Sequence, residues 1–291
     1  MHFVRLRKIW YAISLAVILP GLISLMLQGL NLGIDFTGGN ILEVRFEQAV
    51  PVEKVREVVS ARGLEASHGI QKSGTSDYII RTRHLTQDEQ EKLMAALNDL
   101  GKNTVLRNES VGPTIGRELT TKAILALLVA SVLMIIYIAI RFEFKQGIAA
   151  ILALLHDILV ITGIFSLFRI EVDSTFIAAL LTIIGYSIND TIVIFDRIRE
   201  NMRARKKGES LEDVVNISLW QTMTRSINTV LTVVFVLVAL YFLGGSTIRN
   251  FVLAMLIGVI SGAYSSIFNA SPLWVDFKLL ERRGRVKEAR T

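Results

Sequence analysis

Long apolar runs alternate with polar segments along this chain, and the first run sets the pattern. Ile9 to Leu30 is almost wholly apolar and follows the basic cluster Arg5, Arg7 and Lys8. The run is longer than a secretory h-region, and Gln28-Gly29-Leu30 at its exit lacks a small-residue cleavage pattern, so it reads as a retained anchor. Five further runs follow at about 123–140, 147–168, 174–195, 227–243 and 251–270. Each approaches the ~20 residues that cross a hydrocarbon core of ~30 Å. The pattern predicts six transmembrane helices, with both termini on one side.

Between the first two runs the period changes. ILEVRFE (41–47) alternates as a strand does, and PVEKVREVVSARG opens with Pro51 at a helix start and closes on Gly63. EASHGIQKS and DYIIRTR are strand-like around a Gly74-Thr75-Ser76 turn. Thr86 and Glu89 have the spacing of a capping box for a helix through Leu100, and NTVLRNESVG (103–112) is a last strand. The order β-α-β-β-α-β is that of a ferredoxin-like fold. Such a scaffold implies no chemistry by itself. His68 and His84 are isolated in it and read as surface residues, which leaves a binding or docking module.

The predicted organisation is thus residues 1–30 as a cytoplasmic N-terminus with helix 1, and 31–117 as a small extracytoplasmic α+β domain. Residues 118–271 hold helices 2–6 with an amphipathic interfacial helix near 210–222, and 272–291 form a basic cytoplasmic tail. Composition agrees with a polytopic membrane protein: 52% of residues are hydrophobic and mean hydropathy is +0.49. The net charge of +6 reports topology first. With the N-terminus cytoplasmic, the short inner segments hold eighteen Lys and Arg, whereas the outer turns hold Arg169 and Arg249. Anionic lipid and this inside bias account for the basic tail without any nucleic-acid partner. The chain has no cysteine, which excludes disulfides and thiolate metal sites. No GxxxxGK[ST] loop occurs, so any ATP is used elsewhere.

Polar groups inside the runs are the candidate chemistry. An aspartate at a helix centre costs roughly 2.5–3.5 kcal/mol on insertion scales. LLTIIGYSINDTIVIFDRIREN nevertheless carries Asn189 and Asp190, the latter ~8 Å from mid-span at 1.5 Å per residue. Thr182, Tyr186, Asn189, Val193 and Asp196 follow i, i+4, i+7, i+11 and i+14, and Asp190 at i+8 shares this one helical stripe, with Ser187 outside it. A polar stripe in lipid points to other helices or to a wet cavity. His156 and Asp157 lie at the middle of the third run, about 100° apart on a helix. Arg225, followed by Ser226, Asn228 and Thr229, enters the fifth run and could pair with Asp190 and release it as helices shift. Burial and a nearby cation act on a carboxylate in opposite senses, which is what a proton relay requires. A buried polar knot that fixes helix register is the alternative. Gly258 and Gly262 form a small-xxx-small packing face in the last run, extended by Ser266.

LGIDFTGG (32–39), directly after the first run, resembles the signature of SecF, the smaller-subunit family of the SecDF protein-export complex. Gly33, Asp35, Phe36, Thr37, Gly38 and Gly39 carry that likeness. VGPTIGREL, RFEFKQGIAAILALLHD and GYSINDTIVIFDRIREN are similar to further SecF motifs in the same order, so the resemblance covers about residues 5–275. It implies an RND-superfamily half-unit of six helices completed by a SecD partner. It implies association with the SecYEG channel, with SecA and YajC as further members, and unfolded secretory polypeptide as cargo at the bacterial cytoplasmic membrane. It implies export driven by an H⁺ or Na⁺ gradient with no other cofactor and no enzymatic step in this chain. The family's coupling aspartate falls on Asp190 and its coupling arginine on Arg225. A half-transporter of small molecules or lipids is the nearest rival, and it would need a substrate pocket. An intramembrane aspartyl protease would use Asp157 and Asp190, but GYSIND is not a GxGD context.

Overall fold

The structure, a computed structural model, describes residues 2–64 and 70–288. The chain divides into two compact units, Met1–Asn31 with Ala126–Thr291, and Leu32–Leu125. Long helices dominate the first: α1 (Arg7–Gln28), α5 (Pro113–Arg141), α6 (Phe144–Leu167), α7 (Ser174–Arg203), α8 (Leu211–Leu243), α9 (Arg249–Ser265) and α10 (Ser271–Glu288). The second holds the short helix α2 (Ile34–Thr37), then α3 (Val52–Ser60) and α4 (Gln87–Leu100), packed with four strands. Among the described residues, six helical stretches are long and apolar enough to cross a membrane.

In the helical unit, α6, α7 and α9 form the interior, with Ile161, Phe165, Phe176, Ile183, Ile184, Phe195 and Val259 fully enclosed. Helices α1, α5 and α8 leave much of their apolar surface open; Leu133 is 60% exposed and Phe235 67%. In water such a surface would be a liability, whereas hydrocarbon or a second set of helices covers it without cost. Close helix approach depends on glycine. A Cβ on Gly21 of α1 would stand 2.6 Å from Gly163 Cα of α6, and the Ser24 and Ser166 hydroxyls beside them bond at 2.7 Å.

Two expectations are corrected here. The segment near 210–222 is not a separate interfacial helix; it is the first part of α8, which continues to Leu243 without interruption. Nothing between Gln221 and Ile227 breaks a helix, and Ser210 caps the whole element by accepting from the Asp213 N–H at 3.0 Å. Nor does the chain leave the bundle after Ala270. A five-residue π-helical turn, Ser266–Ala270, leads straight into α10, where Trp274 and Val275 are buried. Three charged residues in the first part of α10 are paired: Asp276 with Arg7 at 2.8 Å, Lys278 with Glu143 at 2.5 Å, and Glu281 with Lys145.

The second unit has strands β1 (Gly39–Phe46), β2 (Ile70–Ser73), β3 (Asp77–Thr82) and β4 (Asn103–Val111). They form one antiparallel sheet in the order β2-β3-β1-β4, the ferredoxin-like arrangement. Leu42 faces Ile80 and Val44 faces Tyr78 across β1 and β3, and a bulge between Glu43 and Val44 shifts the β4 register. Val55 and Val59 of α3 and Leu93 and Leu97 of α4 complete the core over this sheet. Arg45 and Asp77, directly opposite on β1 and β3, bond at 2.7 and 2.8 Å, and the guanidinium holds that carboxyl below its ordinary range. His84 is exposed, with its ring 3.2 Å from Ser110 Oγ; His68 lies outside the described residues.

The glycines after α1 have specific work. Gly38 adopts φ +74° and Gly39 φ +143°, the region that disfavours other residues. A Cβ on Gly38 would meet Pro113 Cα at 3.1 Å, and one on Gly116 would meet Phe36 O at 3.1 Å. The LGIDFTGG and VGPTIGREL segments therefore lie backbone to backbone, with Gly33 capping α2 and Thr37 Oγ1 donating to Gly33 O at 3.1 Å.

The capping box of α4 is formed: the Glu89 N–H donates to Thr86 Oγ1 and the Thr86 N–H to Glu89 Oε2. Hydrogen bonds from Arg83, with help from the Thr86 N–H, pull the Glu89 carboxyl down to about 2. Because that folded-state value is depressed, its contribution is complete above the ordinary carboxylate range and fades as pH falls toward 2. We expect Thr86→Ala to cost α4 about 1 kcal/mol. Hydrogen exchange of the full chain should show faster amide exchange in the first turn of α4, and the wild type should approach the same pattern on acidification.

Candidate functional site

Two intramembrane carboxylates sit in unlike surroundings. Asp157 of α6 is fully buried. Its Oδ1 accepts from Ser261 Oγ at 2.7 Å and lies 3.0 Å from His156 Nδ1. Its Oδ2 accepts from Ser187 Oγ and Ser265 Oγ, both at 2.7 Å. An ionised carboxylate offers about four lone-pair sites, and four neighbours occupy them. The donors come from α6, α7 and α9, so one side chain ties three helices together. Small residues let those helices close on it: a Cβ on Gly262 would stand 3.1 Å from Ser187 Cβ, and Gly258 lies against Ile183. His156 faces the groove between α1 and α9, where its ring stacks on Tyr264 with centroids 5.8 Å apart.

Asp190 of α7 is half-buried and has one protein hydrogen bond, from Ser226 Oγ of α8 at 2.7 Å to Oδ1. Its Oδ2 is buried and has no hydrogen-bond partner. One turn earlier, Tyr186 Oη donates to Thr229 O at 3.1 Å, again across to α8. Three residues on a helix turn through about 300°, so the Ser187 that holds α7 to Asp157 sets Asp190 toward α8. Thr191 Oγ1 and Ser266 Oγ, 2.8 Å apart, repeat the α7–α9 link one turn on.

The expected Asp190–Arg225 ion pair is not formed. Arg225 is exposed, while its neighbour Ser226 is buried and takes the contact. Adjacent helical residues point about 100° apart, so both cannot face Asp190 in one arrangement. Asn189 and Thr182 are exposed on the open face of α7, and Asp196 farther along pairs with Arg141 at 2.6 Å. The structure therefore brings Asp157 together with His156, and Asp190 with Ser226, and keeps the two groups apart. Ser187, Ser261 and Ser265 are the partners that sequence reasoning missed. Their signal was present: residues 258, 261, 262 and 265 are all Gly or Ser at helical spacing. No group of three or more His, Cys, Asp or Glu that could hold a metal ion occurs among the described residues.

Comparison with known proteins identifies the family. The family described as protein export membrane protein SecD/SecF, C-terminal, matches residues 91–280, and the SecD/SecF GG motif matches residues 23–50. The chain belongs to the SecD/SecF protein-export family. Among its relatives, the protein translocase subunit SecF of Thermobaculum terrenum is 45% identical with both chains fully covered. That of Acidaminococcus fermentans is 46% identical over 94% of this chain and 96% of its own. The crystal structure of SecDF from Thermus thermophilus superposes with a TM-score of 0.88 at 37% identity, covering 96% of this chain. This SecD/SecF chain spans only 38% of that SecDF protein, and likewise 38% of the SecDF subunit of Bacillus subtilis.

The two carboxylates should respond differently to removal. Asp157→Ala strands the buried hydroxyls of Ser187 and Ser261, each costing about 1–3 kcal/mol, while Ser265 keeps its bond to Gly262 O at 3.2 Å. Thermal unfolding of the detergent-solubilised protein should show a large loss of stability. Asp190→Asn keeps shape and can still bond Ser226, so its midpoint should stay near that of the wild type.

Proposed function

We propose that this chain is a protein-export accessory subunit in which Asp190 is the ion-responsive group of a gradient-driven cycle. The observation that carries the proposal is the buried, unpartnered Oδ2 of Asp190, beside Ser226 of α8. A carboxylate with a free acceptor can take up a proton or contact a sodium ion; one with all its sites filled has to break bonds first. One elementary charge moved through 100 mV yields about 2.3 kcal/mol, enough to bias two helix arrangements by a factor of about 50. In such a cycle Arg225 is the counter-charge that replaces Ser226 as α8 turns or slides against α7. Asn189 and the exposed stripe of α7 face the second half of the assembly, a SecD-type partner supplying six more helices. The SecYEG channel, SecA and YajC are the proposed wider company, at a bacterial cytoplasmic membrane with both termini inside.

The α+β unit fits the passive side of this task. Strand β4 lies at the sheet edge, with Val105 and Leu106 exposed, and an open edge accepts extended polypeptide through main-chain bonds. Deleting residues 40–112 should lower export of a secretory precursor from cells while leaving the membrane helices inserted. Unchanged export would remove the unit from the mechanism.

For the ion step the test is gradient-dependent precursor export, scored with assembly of the complex. Asp190→Asn should assemble normally and reduce export to the level seen without an ion gradient. Arg225→Ala should impair coupling as well. Wild-type coupling in an assembled Asp190→Asn complex would exclude this residue.

A further inference from the structure

At one end of the helical unit, a cavity of about 550 Å³ opens between the α5–α6 turn, the end of α7 and α10. Its wall carries four cations, Arg141, Arg199, Arg203 and Lys278, against one carboxylate, Glu143. Glu143 is engaged by Lys278, and Arg141 by Asp196 outside the wall. Arg199 reaches that same Asp196 only at 4.0 Å, and Arg203 is exposed without a carboxylate partner. The cavity is thus a basic recess with positive charge to spare.

Two further wall residues have unmet demands. Gln146 Oε1 and Trp274 Nε1 are buried polar atoms with no hydrogen-bond partner, on residues only 1% and 3% exposed. One needs a donor and the other an acceptor. Leaving such groups unpaired costs about 1–3 kcal/mol each. The space is many times the ~30 Å³ of one water molecule. Ile140, in the last turn of α5, also lines the recess and is 82% exposed, so an apolar flank adjoins the charged interior.

We propose that this recess binds the headgroup of an anionic phospholipid. A phosphodiester answers the arginines and the indole N–H, and a hydroxylated headgroup such as glycerol supplies a donor for Gln146 Oε1. Acyl chains run along Ile140 and the exposed apolar surface of α5. Membrane-end placement and that apolar flank favour lipid over free phosphate, and basic pockets between transmembrane helices bind such headgroups generally. The bound lipid would brace α7 against α10 at the end of the helix that carries Asp190.

The test uses the full chain in nanodiscs of phosphatidylcholine doped with phosphatidylglycerol, with lipid retention read by native mass spectrometry after release. The wild type should retain phosphatidylglycerol selectively. Arg203→Gln, an exposed position that leaves the fold intact, should reduce retention about fivefold, equivalent to about 1 kcal/mol per basic residue near a membrane surface. Trp274→Phe keeps the ring, removes the N–H and should also reduce it. Arg197→Gln, outside the recess, should not. Equal retention of the two lipids would overturn the proposal, as would an undiminished signal in Arg203→Gln or an equal loss in Arg197→Gln. Inorganic phosphate that displaces the lipid at millimolar concentration would assign the recess to a free anion instead.

Discussion

The helical unit depends on one buried carboxylate with all its acceptor sites filled. Asp157 would be prohibitive in the middle of an apolar bundle if it stood alone, because a desolvated charge has nothing to replace its water. Three serines and a histidine replace it, each within 3.0 Å. The penalty becomes a constraint on position: α6, α7 and α9 can satisfy this group only in one register. Helix association in lipid lacks a hydrophobic drive, so close packing through glycine and interhelical hydrogen bonds does the holding. Gly258 and Gly262 supply the first and the serines the second.

That constraint has a directional consequence. With Ser187 committed to Asp157, the helical repeat turns Asp190 toward α8, where Ser226 meets only one of its oxygens. The same helix thus has an anchored side and an adaptable side. Helix α7 is tied to α9 through Asp157 and to the π-helical turn after α9 through Thr191–Ser266. It meets the first part of α8 through Asn201, which donates to Ser218 Oγ and Gln221 Oε1 at 2.8 Å, and the later part through Ser226 and Tyr186 around an unmet acceptor. The first part of α8 belongs to the core through Leu211, Val215 and Leu219, so the adaptable contact is confined to the stretch around Ser226 and Thr229.

Much of this was legible in the chain, for identifiable reasons. Long apolar runs mark the spans because lipid allows few other patterns, and the βαββαβ unit shows through its turn and capping residues. Asp190 stood out through its position in a span. What the sequence concealed were choices made between helices. Ser187 lies outside the polar stripe of α7 and so read as incidental, yet it faces inward to the most demanding group in the bundle. The segment 210–222 has an amphipathic pattern that suits an interfacial helix, and only the absence of a breaker before Ile227 signals that it continues. Residues beyond Ala270 look like a tail because their charges are dense; Asp276, Lys278 and Glu281 nevertheless pair with Arg7, Glu143 and Lys145, which holds the first part of α10 against the bundle.

In the proposed function Asp157 builds the bundle and Asp190 exchanges the ion. Infrared difference spectroscopy of the full chain in liposomes, recorded across a pH jump, tests this division directly through the carboxylic-acid C=O stretch. The expected result is a protonation band that disappears in Asp190→Asn and persists in Asp157→Asn. A band that survives in Asp190→Asn and vanishes in Asp157→Asn would reverse the assignment.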